Sequence, residues 1–131
     1  MNRDHLLSSF AGALFLLAFA PFGVSILALV SIGYLFILCI IQPPKIVAQC
    51  YFCFSLILFI SGLYWLYISI HTISGGPIWL AILLIVVLSV FMALYYSLAG
   101  YLISSSYIKF KSQFLTLLII APSIWTLIEW F

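Results

Sequence analysis

The stretch IWLAILLIVVLSVFMALYYSLAGYLI (residues 78–103) decides the architecture, because its 26 residues carry no charged side chain. A helix rises about 1.5 Å per residue, so a hydrocarbon core of ~30 Å takes roughly 20 residues. Residues 78–103 are therefore predicted to cross a membrane, with tilt absorbing the extra length. Working outward, the pattern repeats. Upstream, His71-Thr72-Ile73-Ser74-Gly75-Gly76-Pro77 interrupts it with Gly-Gly-Pro. Pro77 suits a helix start, where its missing N–H would lack a partner anyway. Before that break lies a span at 48–70. Before that again, Gln42-Pro43-Pro44-Lys45 closes a span at 24–41, since a double proline cannot continue a helix. Downstream, Ser104–Gln113 is the most polar stretch, and a last span is predicted at 114–131.

The first span, 6–20, is short for a crossing. A signal peptide fits part of it, with Arg3 as n-region, Leu6–Phe19 as h-region and Ala18-Phe19-Ala20 as cleavage site. Against that reading, Pro21 would follow the cut, and apolar sequence resumes at Val24. A retained helix turning at Pro21-Phe22-Gly23 is favoured. The expectation is one transmembrane domain over 1–131, an all-α bundle of about five membrane helices. No repeat of 20–50 residues and no low-complexity tract interrupts it.

Composition excludes the other classes. Of 131 residues, 68% are hydrophobic and 5% charged, and mean hydropathy is +1.43. Soluble domains carry roughly 25% charged residues, so a water-soluble globule and a disordered chain are both ruled out. A net charge of +2 makes no basic patch, so nucleic acid is excluded as a partner. The basic residues set the orientation. Arg3, Lys45, Lys109 and Lys111 all fall on one side of the predicted bundle. The positive-inside rule places that side, and the N-terminus, in the cytoplasm. Trp65, Trp79, Trp125 and Trp130, with Tyr64 and Tyr67, then fall toward the outer leaflet. They read either as an interfacial aromatic belt or as an aromatic mouth for a lipid.

The three cysteines, Cys39, Cys50 and Cys53, lie in apolar runs. Cys50-Tyr51-Phe52-Cys53 matches a redox or half-zinc motif, but the nearest His in sequence on the same stretch is His71 and no second ligand pair follows. The plainer reading is small polarizable packing residues. No metal or cofactor is assigned.

Gly62-Leu63-Tyr64-Trp65-Leu66-Tyr67-Ile68-Ser69-Ile70-His71-Thr72-Ile73-Ser74-Gly75-Gly76-Pro77 resembles the G-x-x-W-[VL]-Y-[VI]-S-I-x-x-F-G-G-x-P segment of bacterial apolipoprotein N-acyltransferases. Leu17-Ala18-Phe19-Ala20-Pro21-Phe22, Tyr95–Gly100 and Ala121-Pro122-Ser123-Ile124-Trp125-Thr126-Leu127-Ile128-Glu129-Trp130 resemble further family stretches in the family's order. The departures are Ser25 where the family often has Trp, Ser74 for Phe, and no Arg after Trp130.

The resemblance implies a multi-pass protein of the bacterial inner membrane. The family's enzymes move an acyl chain from phospholipid to the N-terminal cysteine amine of a diacylglyceryl lipoprotein. A Glu-Lys-Cys triad in an outer nitrilase-like domain carries the chemistry through a thioester. No position of this sequence matches the triad, so no catalytic residue is named and the chain alone is expected to be inactive. A separate or missing nitrilase-like domain is the implied partner, with membrane phospholipid and diacylglyceryl lipoprotein. The alternative is a small transporter-like or scaffold membrane protein, marked by charges within the bundle or inverted repeats.

Candidate lipid- or substrate-facing residues are Trp65, Tyr67, His71, Gly75, Gly76, Trp125 and Glu129. His71 reads as a headgroup contact or as an interfacial polar residue. Glu129, an ionisable group in a transmembrane pattern, reads as a structural pairing partner or a substrate contact. Gly75-Gly76 shapes a loop through positive φ, or lets lipid approach. Ser89, Ala93 and Ser97 form a small-residue stripe for close helix packing. Tyr95 and Tyr96, near mid-span, need hydroxyl partners.

Overall fold

A computed structural model describes residues 3–18 and 23–130. Among them there are helices and no strands. The order is α1 (Arg3–Leu16), α2 (Ser25–Ile41), α3 (Pro44–Gly62), α4 (Tyr64–Tyr67), a π-helical segment (Ile68–Ile73), α5 (Ile78–Phe110), α6 (Gln113–Leu115), a second π-helical segment (Thr116–Ile120) and α7 (Ala121–Trp130). The all-α membrane bundle is thus borne out. The predicted turn at Pro21-Phe22-Gly23, and the end of the Ala18-Phe19-Ala20 motif, lie largely outside the described residues.

Three helical stretches are long and apolar enough to cross a membrane: Pro44–Gly62, Ile78–Phe110 and Gln113–Trp130. Ser25–Ile41, with 17 residues, is a shorter apolar helix, and α1 has 14. Two boundaries differ from expectation. The predicted span 48–70 begins earlier, because Pro44 takes the first helical position, and it ends at Gly62. Beyond Gly62 the backbone leaves helical geometry at Leu63, re-forms one turn, then widens through Ile68–Ile73, where β-branched side chains crowd a regular helix. The predicted span 78–103 runs on through the serine-rich stretch to Phe110. There Ser104 Oγ donates to the Gln42 carbonyl at 3.2 Å, and Ser106 Oγ to its own helix at Leu102, 2.8 Å. Its end is capped by Lys111 in the left-handed conformation at φ 52°, whose N–H returns to Tyr107.

Inside lipid, apolar area adds little to helix association, so close packing and interhelical hydrogen bonds must hold the bundle. α3 is its centre. On one side, α1 presents Ser8, Ala11 and Gly12 to it, all buried. On the other, α5 presents the buried stripe Ser89, Ala93, Gly100 and Ser104. A Cβ at Gly100 would stand 2.6 Å from Tyr51 Cγ. Ser97 Oγ donates to the Ala48 carbonyl at 2.9 Å. The fully buried Tyr51 and Cys39 meet at 3.2 Å, joining α3 to α2. Gln42 also donates to Asp4 Oδ2 at 3.1 Å. With the Ser104 bond, this gathers the start of α1, the start of α3 and the end of α5 at one end. Arg3, Lys45 and Lys109 therefore share that end.

Outward, the bundle is apolar. Ile82, Leu83, Val86, Val87, Leu94 and Leu98 of α5 are exposed, as are Ile26, Leu29 and Val30 of α2. A surface of this kind suits hydrocarbon rather than water.

Candidate functional site

α7 begins with Ala121-Pro122. Proline cannot donate to the carbonyl one α-turn back, and its ring collides with it. The turn just before it is π-helical: Ala121 N–H reaches Thr116 O, five residues back. Thr126 Oγ1 and Ser123 Oγ bond back to Pro122 O and Ile119 O, at 2.8 and 2.6 Å. This local geometry fixes the azimuth of Trp125 and Glu129, one helical turn apart and so on one face.

Trp125 Nε1 donates to Glu129 Oε1 at 2.7 Å. Tyr96, from α5, donates its hydroxyl to the same oxygen at 3.2 Å. Glu129 Oε2 receives no hydrogen bond from a described residue. The rings of Tyr96 and Trp125 meet edge to face, centroids 5.0 Å apart. Phe59 of α3 packs on Tyr96 at 5.5 Å, and Phe36 of α2 on Trp125 at 6.3 Å. The carboxylate is exposed and Trp125 half-buried.

This trio edges a cavity of about 770 Å³. Phe15 and Leu16 supply its α1 wall, Ile32 its α2 wall, and Phe54, Leu58 and Phe59 its α3 wall, with Ser61 and Gly62 at the end of that helix. The volume falls in the range of about 300–1,000 Å³ usual for small-molecule sites. An apolar cleft with one carboxylate at its edge fits an amphiphile, with its chain inside and its polar group at Glu129.

The other predicted residues gather next to it along the chain. Gly75 holds φ 69°, which glycine adopts without strain. Gly76 N–H donates to Ile70 O at 2.9 Å, and a Cβ there would stand 2.9 Å from that same oxygen. His71 Nδ1–H donates to the Gly76 carbonyl at 2.9 Å. Tyr67 packs on the His71 ring at 5.4 Å and stacks with Tyr64 at 6.1 Å. Tyr67, His71, Gly75 and Gly76 thus form one closed loop, in which His71 is a staple. Trp65 is 58% exposed and joins neither group.

Of the two mid-span tyrosines, Tyr96 finds Glu129, while Tyr95 packs on Phe91 at 5.1 Å. Near the basic end, Cys50 Sγ lies 3.6 Å from His5 Nδ1, a contact between residues 45 positions apart. His5 and Cys53 also line a second cavity of about 480 Å³. No group of three or more His, Cys, Asp or Glu side chains poised for a metal occurs among the described residues.

Comparison with known proteins places this geometry in context. A family model described as apolipoprotein N-acyltransferase N-terminal domain matches residues 11–131. The apolipoprotein N-acyltransferase of Vibrio vulnificus is 32% identical over 125 residues, covering 94% of this chain and 24% of the relative. That of Photobacterium profundum is 35% identical over 127 residues, covering 95% and 24%. That of Coxiella burnetii is 32% identical over 127 residues, covering 97% and 26%. The chain spans about a quarter of the length of these relatives.

Proposed function

The chain belongs to the apolipoprotein N-acyltransferase family, within its N-terminal domain, and from that premise we propose that it is the membrane-embedded, lipid-seating part of such an enzyme. The whole enzyme moves an acyl chain from a membrane phospholipid to the N-terminal cysteine amine of a diacylglyceryl lipoprotein. The bundle lies in the bacterial inner membrane, with about five spans and the Arg3–Lys45–Lys109 end in the cytoplasm. The cavity then opens toward the outer leaflet.

One observation carries the reading: an apolar cavity of about 770 Å³ whose edge is a carboxylate fixed by an indole and a phenol. An acyl chain laid against Phe54, Leu58 and Phe59 brings its ester to a set height beside the loop. Fixing a reactive bond in place removes part of the entropic barrier to its attack. The attack itself falls to a thiolate of a nitrilase-like domain outside this sequence. It displaces the lysophospholipid alcohol from the ester to form a thioester, which the lipoprotein amine opens to an amide as the thiol is released. Residues 1–131 thus seat the substrate, and the attacking group comes from elsewhere.

A phospholipid carrying a diazirine along its acyl chain tests the seating. Photolysis is expected to label Leu58 and Phe59 well above exposed Leu83 and Val87. Gly62→Leu, which builds toward Leu16 across the cavity, is expected to lower that labelling severalfold. Uniform labelling would refute the seating. Turnover by residues 1–131 alone would refute this division of labour.

A further inference from the structure

We propose that His5, Cys50 and Cys53 bind a soft monovalent metal ion, Cu(I), at the basic end of the bundle and so clamp α1 to α3. The inference is independent of the acyl-seating reading, because it uses the second cavity and none of the residues around Glu129.

Ligand type and spacing carry it. Cys50 Sγ on α3 and His5 Nδ1 on α1 lie 3.6 Å apart. Bonds of about 2.3 Å to sulfur and about 2.0 Å to imidazole nitrogen put two such ligands roughly 3.6–3.8 Å apart on one ion, from tetrahedral to trigonal angles. The pair thus already stands at the separation that a shared metal requires. Cys53 follows Cys50 by three residues on α3, so the two thiols leave one side of that helix. Cys53 and His5 line the same cavity of about 480 Å³, with Ser9 and Gln49 beside them. The three side chains therefore converge on one place between α1 and α3. They are not a preformed metal group; rotation of the half-buried Cys53 side chain about χ1 completes the set.

The spacing also decides between fates for the two thiols. Residues three apart on a helix hold their Cβ atoms about 5–6 Å from each other, whereas a disulfide needs about 3.5–4.5 Å. Cys50 and Cys53, about two turns into regular α3, are accordingly free thiols. On the proposed orientation this end faces the cytoplasm, where thiols stay reduced. Two thiolates and one imidazole suit Cu(I), a soft ion. A structural Zn²⁺ seeks four ligands, and the cavity offers no further thiol, imidazole or carboxylate. On binding, each thiol gives up its proton to solvent and the copper keeps its oxidation state. Cys50 is fully buried, so the ion enters by way of the cavity and the Cys53 side.

The test uses the full chain in detergent micelles under anaerobic, reducing conditions. Cu(I) is added and then drawn off with rising concentrations of bicinchoninate, whose copper complex is coloured. The parent is expected to hold one Cu(I) per chain, with X-ray absorption showing two sulfurs and one nitrogen around it. Cys50→Ser, Cys53→Ser and His5→Gln are each expected to weaken retention by about a hundredfold, since even an outer partner of a metal ligand is worth about 10–100-fold. Cys39→Ser, whose thiol meets Tyr51 instead, is expected to match the parent. Cu(I) is also expected to raise the unfolding midpoint of the parent in sodium dodecyl sulfate, and not that of the three ligand variants. Circular dichroism checks that the variants keep their helix content, and the copper shell of the parent is read without any substitution. A parent that yields its Cu(I) at the first addition of chelator would overturn the site. So would a shell without nitrogen and two sulfurs, or equal retention by the ligand variants. A parent that holds Zn²⁺ and not Cu(I) would overturn the copper assignment.

Discussion

Gly12 of α1 rests directly against the backbone carbonyl of Phe54 on α3, with no room for a Cβ between them. Phe15, one turn on, meets the Phe54 ring edge to face at 5.7 Å. The two helices run parallel and nearly touch, as small residues permit in lipid. Gly12→Leu is therefore expected to push α1 off α3, at about 3 kcal/mol. Unfolding in mixed micelles with rising sodium dodecyl sulfate measures the loss. An unchanged midpoint would show that the contact contributes nothing.

The Glu129 trio gives a second expectation. Tyr96→Phe and Trp125→Phe each remove one donor to the same oxygen, at about 1 kcal/mol each for a carboxylate in an exposed position. Because both act on Oε1, the double variant should lose less or more than the sum of the singles. A double-mutant cycle on micelle unfolding reads the coupling. Strict additivity would mean that the two donors act independently.

The loop 71–77 gives a third. Gly75→Ala places a methyl at φ 69°, a strain of about 1 kcal/mol, and Gly76→Ala crowds Ile70 O. His71→Phe removes the bond to Gly76 and keeps the ring against Tyr67. All three variants should open the loop to protease several times faster than the parent. Gly33→Ala, whose Cβ meets nothing, is the control.

Orientation yields a fourth. In a background with Cys39, Cys50 and Cys53 replaced by Ala, Lys45→Cys should react with an impermeant maleimide only from the cytoplasmic face. Ser74→Cys should react only from the outside. Reversal of the two would invert the assignment made from Arg3, Lys45, Lys109 and Lys111.

What was legible in the sequence follows period and composition. Residues 78–103 announced a membrane helix because an uncharged run of that length has no other stable home, and the α5 core falls within it. The Ser89–Ala93–Ser97 stripe likewise announced the close packing on α3. The limits of the helices were less plain. Ser104 and Ser106 read as loop residues, yet their hydroxyls bond to carbonyls and let α5 continue. At the site, Glu129 and Trp125 were legible one by one. Their meeting with Tyr96 was not, because it joins residues 33 positions apart through tertiary packing. The His5–Cys50 contact was hidden for the same reason. Trp65 stood out by type alone, and the fold leaves it on the surface.

The widened turn at Thr116–Ile120 makes register a matter of phase. A π-turn accommodates one residue more than an α-turn does, and each helical residue advances the azimuth by about 100°. Tightening that turn to ordinary pitch would swing everything after Pro122 by a comparable angle. The indole and the carboxylate would then face another quarter of the compass, although no residue of the trio had changed. The aim of this site is thus set upstream, by backbone winding rather than by any side chain that lines the cavity.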